Sequence, residues 1–244
     1  MMHRSSGGRT VITIMNNMLV EGLVFRKKYR HIYLYETFET DKIKTLIGLD
    51  NCIEYLDCFL VILPEDYALQ SILWADFYAY YGDRYEKMID VQNNLNCIMN
   101  LYAYIQKNVN IKTATLILDY GCGSGLSINI NASCRLIGYE PNEKMRRQAV
   151  KKGMEVLDRK GINMLPNECV AAVFSSYVFH MGIKESDIKI LSRIIRREGV
   201  IVANFYKGIN CIWVNNAFAE KGFDVKKIIG LDERFGCIYE YRKK

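Results

Sequence analysis

The sequence is poor in histidine and lacks the closely spaced cysteines that build metal sites. It contains only three histidines, and no two of its eight cysteines stand closer than six positions, so it has no CxxC pair. Zinc sites usually need such closely spaced ligands. We therefore expect no metal site. Scattered thiols without a secretion signal indicate a reducing, cytoplasmic setting.

Long apolar runs and prolines are scarce as well. The longest apolar run, residues 58–63, is far shorter than the ~18 residues that a membrane span needs. Only three prolines occur, no Pro-rich or Gly/Ser-rich linker divides the interior, and half of the residues are apolar. These features indicate a globular protein, for which we expect no membrane partner.

Positive charge is in modest excess, with a net charge of +6. The basic stretch Arg26–Arg30 lies between two β-rich stretches, Leu19–Phe25 and His31–Phe38, which predicts a hairpin with a charged tip. Such a tip could contact RNA, but the interpretation favoured for this and every other basic cluster is a solvated helix face, loop tip or tail. We predict that residues 1–66 form a β-rich N-terminal extension that serves as a lid, substrate or dimerisation segment.

Residues 67–244 alternate between helix and strand patterns, which predicts βαβ units. A helical period over Tyr85–Asn108 precedes a buried-type strand at Ala114–Tyr120. The predicted fold is α/β: a doubly wound, mainly parallel seven-stranded sheet with an antiparallel C-terminal edge hairpin from Val225–Gly230 and Cys237–Tyr241. The other predicted elements are strands at Arg135–Tyr139, Val170–Ser175 and Val200–Phe205, and helices at Glu143–Lys152 (capped by Asn142), Asp187–Arg197 (capped by Ser186, stopped by Gly199) and Ile212–Lys221.

One stretch carries conflicting signals. Leu126, Ile128 and Ile130 alternate with polar residues, which is a strand period. Two adjacent parallel strands need a crossover between them, however, and this stretch lies between two predicted strands. We therefore predict a helix here.

A glycine-rich turn follows the first strand of the domain and reads Leu118-Asp119-Tyr120-Gly121-Cys122-Gly123-Ser124-Gly125. Glycines permit a tight turn and the close approach of a ligand. A helix that starts there offers free N–H groups. Glu140 follows Gly121 by 19 residues, at the end of the next strand, where a carboxylate can accept both hydroxyls of an adenosine ribose.

These motifs resemble those of the class I S-adenosylmethionine-dependent methyltransferases. The glycine turn is similar to that family's glycine-rich motif, and residues 137–142 are similar to its second motif. Residues 175–180 resemble the post-strand segment of the small-molecule branch, and residues 196–202 resemble the turn into the fifth strand. The resemblance covers residues 80–244, about two thirds of the chain, and implies S-adenosylmethionine as the cofactor.

The resemblance also implies roles for individual residues. The three glycines would lie under the methionine part of the cofactor, Asp119 near its amino end and Glu140 on the ribose. The acid usual on the adenine side has no clear match, and Asp158 and Asn163 are the candidates. The predicted cofactor-binding residues are Asp119, Gly121, Cys122, Gly123, Gly125, Glu140, Pro141 and Ser175.

A nicotinamide-binding dehydrogenase is the main competing interpretation of the glycine turn. Its fingerprint is G-x-G-x-x-G, whereas here Leu126 stands where the third glycine would be. Asp119 also precedes the glycines, where it would repel a pyrophosphate but not a sulfonium amino acid. The sequence therefore favours the methyltransferase.

Further residues are candidates for the acceptor side. His180 follows the strand that ends at Ser175, and it could act as a general base, position the acceptor or simply bond a backbone group. Tyr80, Tyr81 and Tyr85 could cover the cofactor or stack on a substrate, although aromatic residues at helical spacing more often belong to the core. The Cys122 side chain is interpreted as filler within the turn.

The sequence thus predicts an enzyme that transfers a methyl group to an O or N atom of a small molecule by in-line displacement. Two alternatives stay open: an RNA methyltransferase that uses the basic N-terminal segment, and a non-catalytic methyltransferase-like interaction protein. Exposed hairpin edges in residues 1–66 also leave a homodimer open.

Overall fold

The computed structural model describes residues 32–36, 52–55, 58–62, 82, 85–113, 115–181, 183–208 and 210–244. Packing divides the chain into two compact units, Met1–Ile89 and Asp90–Lys244. This division concerns packing alone, so the functional boundary between residues 66 and 67 stays a prediction.

The first unit contains a three-stranded antiparallel sheet in the order β1-β3-β2. The strands are β1 (Ile32–Glu36), β2 (Cys52–Tyr55) and β3 (Cys58–Ile62), and a short helix, α1 (Tyr85–Met88), follows. The β-rich prediction is confirmed for these strands. The basic tip at Arg26–Arg30 and its preceding strand lie outside the described residues.

The second unit is built on a seven-stranded sheet in the order β6-β5-β4-β7-β8-β10-β9. Its five strands from β6 to β8 are parallel, and β10 lies antiparallel between β8 and β9. The predicted doubly wound α/β fold with an antiparallel C-terminal edge hairpin is therefore confirmed. The strands are β4 (Leu116–Tyr120), β5 (Arg135–Tyr139), β6 (Val156–Leu157), β7 (Val170–Ser175), β8 (Ile195–Phe205), β9 (Phe223–Ile228) and β10 (Cys237–Lys243); the helices are α2 (Val91–Asn108), α3 (Glu143–Lys151), α4 (Arg159–Met164), α5 (Glu185–Ile194) and α6 (Cys211–Glu220).

The core lies against the neighbouring strands β4 and β7, because most of their residues are apolar and buried. All six residues of β7 are buried. Aromatic side chains fill the space around the C-terminal strands, where Phe218 lies 6.1 Å from Phe179 and 4.5 Å from Tyr241 between ring centroids. Full burial of one such side chain contributes roughly 1.5–3 kcal/mol to stability, so this core gives the strand ends a rigid base.

The prediction of one continuous helix over Tyr85–Asn108 is wrong, because two helices occupy this stretch. Asp90 interrupts it and caps the second helix, since its side chain accepts a hydrogen bond from Asn93 N at 2.9 Å. The cap satisfies a backbone N–H that has no partner within the helix. The apolar spacing continues across the break and therefore conceals it.

The predicted bounds of the helix before β8 are also wrong. Helix α5 begins at Glu185 rather than at Asp187, and Ser186 Oγ accepts from Arg159 Nη2 instead of capping the helix. The chain then enters β8 at Ile195, which pairs with Val170. Gly199 consequently lies inside β8 and does not stop a helix.

The crossover between β4 and β5 is helical, as its topology requires. Leu126–Asn129 forms one turn of 3₁₀ helix rather than a strand. Strand β6 had no separate prediction. With only two residues it has no readable period, and it forms because Gly138 N and Glu140 N, at the end of β5, bond to the carbonyls of Glu155 and Leu157.

Candidate functional site

The glycine turn at the carboxyl end of β4 is tied to the end of β5. Gly121 N and Cys122 N both donate to the Tyr139 carbonyl, at 2.8 and 3.0 Å. Gly121, Gly123 and Gly125 have φ values of +78°, +57° and +81°. Such values are strained for any residue with a Cβ, so the turn needs glycine for its conformation.

The same turn is packed from two sides. A Cβ on Gly121 would lie 2.4 Å from Val178 Cγ2, in the segment after β7, and a Cβ on Gly125 would lie 2.7 Å from Ala149 Cβ of α3. The turn therefore has no room for a side chain at Gly121 or Gly125, and its backbone lies between two neighbouring elements.

Two carboxyl groups flank the turn, and both are buried. Asp119, the next-to-last residue of β4, is 2% exposed, and Glu140, directly after β5, is 6% exposed. Glu140 Oε2 accepts from Gly123 N at 3.0 Å, and Oε1 accepts from Asn142 N at 2.8 Å. Parallel strands end at the same edge of a sheet, which explains why residues 21 positions apart in sequence converge here.

Burial raises the pKa of both acids. The pKa of Asp119 rises to about 7 through desolvation and the nearby Glu140 charge, while the Ser127 hydroxyl counteracts the rise. The pKa of Glu140 also rises to about 7 through desolvation, against the stabilising N–H groups of Asn142 and Gly123. The pair is thus poised to accept a positively charged or hydrogen-bond-donating ligand.

Two polar atoms in the turn have no hydrogen-bond partner, namely Asp119 Oδ2 and Ser124 Oγ. Buried polar atoms are normally paired, and an unpaired carboxylate oxygen is costly. Glu140 differs, because each of its oxygens has one N–H partner and keeps a second lone pair. The turn therefore has unused acceptor capacity on both acids.

Cys122 fills space rather than presenting a reactive thiol. Its Sγ lies 2.5 Å from the position that a Cβ on Gly138 would take. Burial raises the pKa of the thiol well above its ordinary value, and Asp119 and Glu140 raise it further. The thiolate is thus disfavoured, which agrees with the interpretation of this side chain as filler.

The other predicted cofactor residues lie at the same edge. Ser175, the last residue of β7, donates from Oγ to the Tyr120 carbonyl at 2.8 Å and joins the ends of β7 and β4. Pro141 is exposed, and its carbonyl accepts from Arg146 Nη1 at 3.1 Å. Both positions stay predictions as cofactor contacts.

A third acid follows the next strand. Asp158 comes directly after β6 and caps α4, because its Oδ1 accepts from Gly161 N at 2.7 Å. Acids therefore end three adjacent strands, β4, β5 and β6. Asn163 lies at the far end of α4, where its carbonyl is bound by Arg193. Of the two candidates for the adenine side, Asp158 alone follows the end of a strand. The signal for it in the sequence is that an aspartate stands three residues before Gly161, as an N-cap residue does.

His180, which the sequence predicts on the acceptor side, lies in a short 3₁₀ segment after β7. Its Nδ1 has no hydrogen-bond partner, and burial lowers the pKa of the imidazole to about 4. The ring forms edge-to-face contacts with Tyr177 and Tyr206, two residues that the sequence did not single out. Tyr80 and Tyr81 lie outside the described residues, and Tyr85 belongs to α1 of the other unit.

Two other kinds of site are absent from the described part of the chain. No group of three or more His, Cys, Asp or Glu residues there could hold a metal ion. No helix within the same residues is long and apolar enough to cross a membrane.

Comparison with known proteins gives one curated relative at low identity. No family model matches the chain. The uncharacterized methyltransferase C70.08c of Schizosaccharomyces pombe is 27% identical over 126 residues, which cover 47% of this chain and 48% of that protein. The chain therefore spans about half the length of the curated relative that it matches.

Solved structures share the fold. Magnesium protoporphyrin IX methyltransferase (ChlM) from Synechocystis PCC 6803, solved with bound S-adenosylmethionine, matches with a TM-score of 0.54 and 18% identity over 72% of this chain and 97% of that one. A chain from the complex between the Haloferax volcanii Trm112 methyltransferase activator and the putative methyltransferase matches with a TM-score of 0.51 and 13% identity, over 68% and 96%. The α/β fold is that of Rossmann-like methyltransferases.

Proposed function

We propose that the protein is an S-adenosylmethionine-dependent methyltransferase that methylates an O or N atom of a small molecule. One observation carries the proposal: two buried acids, Asp119 and Glu140, flank a turn of positive-φ glycines at the ends of adjacent parallel strands. The fold of the solved structures and the curated relative support the same class of enzyme.

The residues of the turn fit the cofactor. Asp119 Oδ2 lacks a partner and would accept a hydrogen bond from the ammonium group of the methionine part. Glu140 keeps one free lone pair on each carboxylate oxygen, which would serve the two ribose hydroxyls. Both acids would also offset the positive charge of the ligand. A dinucleotide fits less well, because two buried carboxylates would repel its pyrophosphate.

When bound, S-adenosylmethionine supplies a methyl group on a positively charged sulfur. With that group held by Asp119 and Glu140, an acceptor atom would bond to the methyl carbon through its lone pair, and the electrons of the broken S–C bond would stay on sulfur. The surplus proton of the acceptor leaves to solvent. The protein's contribution is placement, which can lower a barrier by ~7–11 kcal/mol. Since burial holds the pKa of His180 at about 4, we assign this residue to positioning rather than to proton removal.

Calorimetric titration of the full chain with S-adenosylhomocysteine at pH 8 tests the proposal. We expect binding, and we expect Asp119→Asn to weaken it at least tenfold because the ammonium group loses a charged partner. Glu143→Gln is the matched control, since this acid is exposed and lies on nearby α3. A folded protein that fails to bind at ~1 mM ligand, roughly a −4 kcal/mol interaction, would contradict the proposal.

A further inference from the structure

One buried asparagine interrupts the apolar half of β8. Residues 199–205 of this strand are all buried, and Asn204 is the one polar side chain among them. Burial of an amide costs free energy unless its polar atoms are hydrogen-bonded. An asparagine at this position therefore needs partners that offset the cost.

The Asn204 amide bonds to the backbone of two other segments. Its Oδ1 accepts from Tyr177 N at 2.7 Å, and its Nδ2 donates to the Phe235 carbonyl at 2.9 Å, in the turn between β9 and β10. A reversed amide would place its NH₂ group against an N–H and its oxygen against a carbonyl, so one orientation alone fits. Asn204 thus links the turn between β9 and β10 to residues 176–181, which we call the β7 loop.

Tyr177 has a conformation that must be held in place. Its φ is +57°, a strained value for a residue with a Cβ, whereas glycine would adopt it freely. Besides the bond to Asn204, the Tyr177 Oη accepts from Asn93 Nδ2 at 2.9 Å. Further along the β7 loop, Asn210 Nδ2 donates to the His180 carbonyl at 2.9 Å. These bonds offset the strain and fix the path of the loop.

The next residue of the β7 loop packs on the glycine turn. A Cβ on Gly121 would lie 2.4 Å from Val178 Cγ2 and 3.0 Å from its Cγ1, so the valine side chain fills the space beside this glycine. The direction of Val178 depends on the backbone of Tyr177, because that residue precedes it. Relaxation of Tyr177 to a negative φ would consequently move the valine away from the turn.

We propose that Asn204 is a positioning residue for the proposed donor site. Its amide keeps Tyr177 in the left-handed conformation and thereby directs Val178 against the turn. Val178 in turn holds Gly121 and Cys122, whose N–H groups bond to the Tyr139 carbonyl. The description of this turn as the donor site rests on the proposed function, whereas the link from Asn204 to the turn does not.

Hydrogen exchange of the ligand-free full chain, resolved by residue with NMR, tests the link. We expect Asn204→Leu, which has a similar size but no acceptor, to speed exchange at Gly121 and Cys122 about tenfold through local opening. Tyr104→Phe is the matched control. It removes a tertiary hydrogen bond to the buried Glu240, at 2.8 Å, and leaves the β7 loop unchanged.

A conservative variant separates this role from a purely structural one. Asn204→Asp keeps an oxygen for Tyr177 N but loses the donor to the Phe235 carbonyl. We expect it to retain slow exchange at Gly121 and Cys122, and the affinity for S-adenosylhomocysteine that calorimetry measures for wild type. If Asn204 serves only to anchor the turn between β9 and β10, the Asp and Leu variants should be equally impaired.

Val178→Ala tests the last step and is also the measurement that decides if Asn204→Leu does not fold. It shortens the side chain beside Gly121 without touching the buried amide. We expect faster exchange at Gly121 and Cys122 and an affinity for S-adenosylhomocysteine that is lower by about fivefold or more, as in Asn204→Leu. The double variant should lose little more than either single one. Unchanged exchange in Val178→Ala overturns the proposal.

The two readouts separate this proposal from the proposed function. If S-adenosylhomocysteine binds to wild type but Asn204→Leu matches Tyr104→Phe in exchange and affinity, the positioning role is overturned and the methyltransferase proposal stands. If S-adenosylhomocysteine does not bind to wild type and exchange at Gly121 and Cys122 still responds to Asn204→Leu and to Val178→Ala, the link stands and the methyltransferase proposal fails.

Discussion

Among single residues, Asp119 and Glu140 should control how ligand affinity depends on pH. Burial raises the pKa of each to about 7, from 3.8 and 4.5. A cationic ligand needs the carboxylate forms, so protons compete with it. We expect the affinity for S-adenosylmethionine to fall as the pH is lowered from 8 to 6, with release of protons on binding. Calorimetry in two buffers of different ionisation enthalpy measures the release.

The same shifts have the opposite effect on the ligand-free fold. Because the folded-state pKa values lie above the unfolded ones, the two acids stabilise the fold fully at low pH, and this contribution is lost as the pH rises from about 4 to about 7. Asp119→Asn should flatten both profiles. A variant that keeps the wild-type pH dependence of binding would show that another group controls it.

Gly121 is a second residue whose role is testable in isolation. Gly121→Ala adds a strained φ of +78° and a contact of 2.4 Å with Val178, whereas Gly230→Ala adds only a strained φ, of +89°, in open space. We expect Gly230→Ala to cost ~1–2 kcal/mol of unfolding free energy and Gly121→Ala about 2 kcal/mol more. Urea denaturation measures both values.

A double mutant identifies the source of the extra cost. Val178→Ala removes the two methyl groups nearest to the added Cβ, at 2.4 and 3.0 Å. Combined with Gly121→Ala, it should recover most of the additional loss, so the two substitutions should be non-additive. Additive losses would locate the cost elsewhere.

At the scale of elements, Arg193 joins α5 to the end of α4. Its Nη2 donates to the Asn163 carbonyl at 2.9 Å, and its Nη1 donates to Asn167 Oδ1 at 3.1 Å. The guanidinium thereby satisfies a carbonyl at the end of α4 that lacks a helical partner. We expect Arg193→Ala to lower the free energy of unfolding by ~1–3 kcal/mol. Arg197→Ala, at an exposed site in β8, should stay within ~0.5 kcal/mol of wild type.

For the whole molecule, the role of residues 1–66 is the main prediction. If they form a lid or acceptor segment, a protein that lacks them should bind S-adenosylhomocysteine, lose turnover and keep its oligomeric state. Light scattering and a turnover assay with a panel of amines, phenols and carboxylates measure these properties. Retained turnover together with a change from dimer to monomer would identify a dimerisation segment instead.

The RNA alternative makes its own prediction for the full chain. If the stretch Arg26–Arg30 binds RNA, the affinity should fall steeply with salt, because phosphate contacts release counterions. The affinity for a fluorescent RNA should then differ by roughly fiftyfold between 50 and 200 mM salt if the four basic side chains of this stretch each contact a phosphate. Weak binding that does not change with salt would leave the small-molecule acceptor as the remaining class.

The non-catalytic alternative has a separate test. Detection of a methylated product from any acceptor would exclude it.

By itself, the sequence determined the fold class and the pair of acids around the glycine turn. Buried strands have continuous apolar runs and glycine turns have a short local motif, so both leave a signal within a few residues. The break at Asp90, the true start of β8 and strand β6 leave no such signal, because they depend on which neighbour the backbone bonds.

Only the tertiary structure decided the environment of these residues. Asp119 and Glu140 are desolvated only in the folded chain, and Asn93, Asn204 and Asn210 converge on Tyr177 and His180 only there. Tyr206 lies 29 residues from Tyr177 in sequence and 6.2 Å from it in space. Hydrogen bonds and burial between distant segments have no local pattern, since they arise only when the strands are side by side.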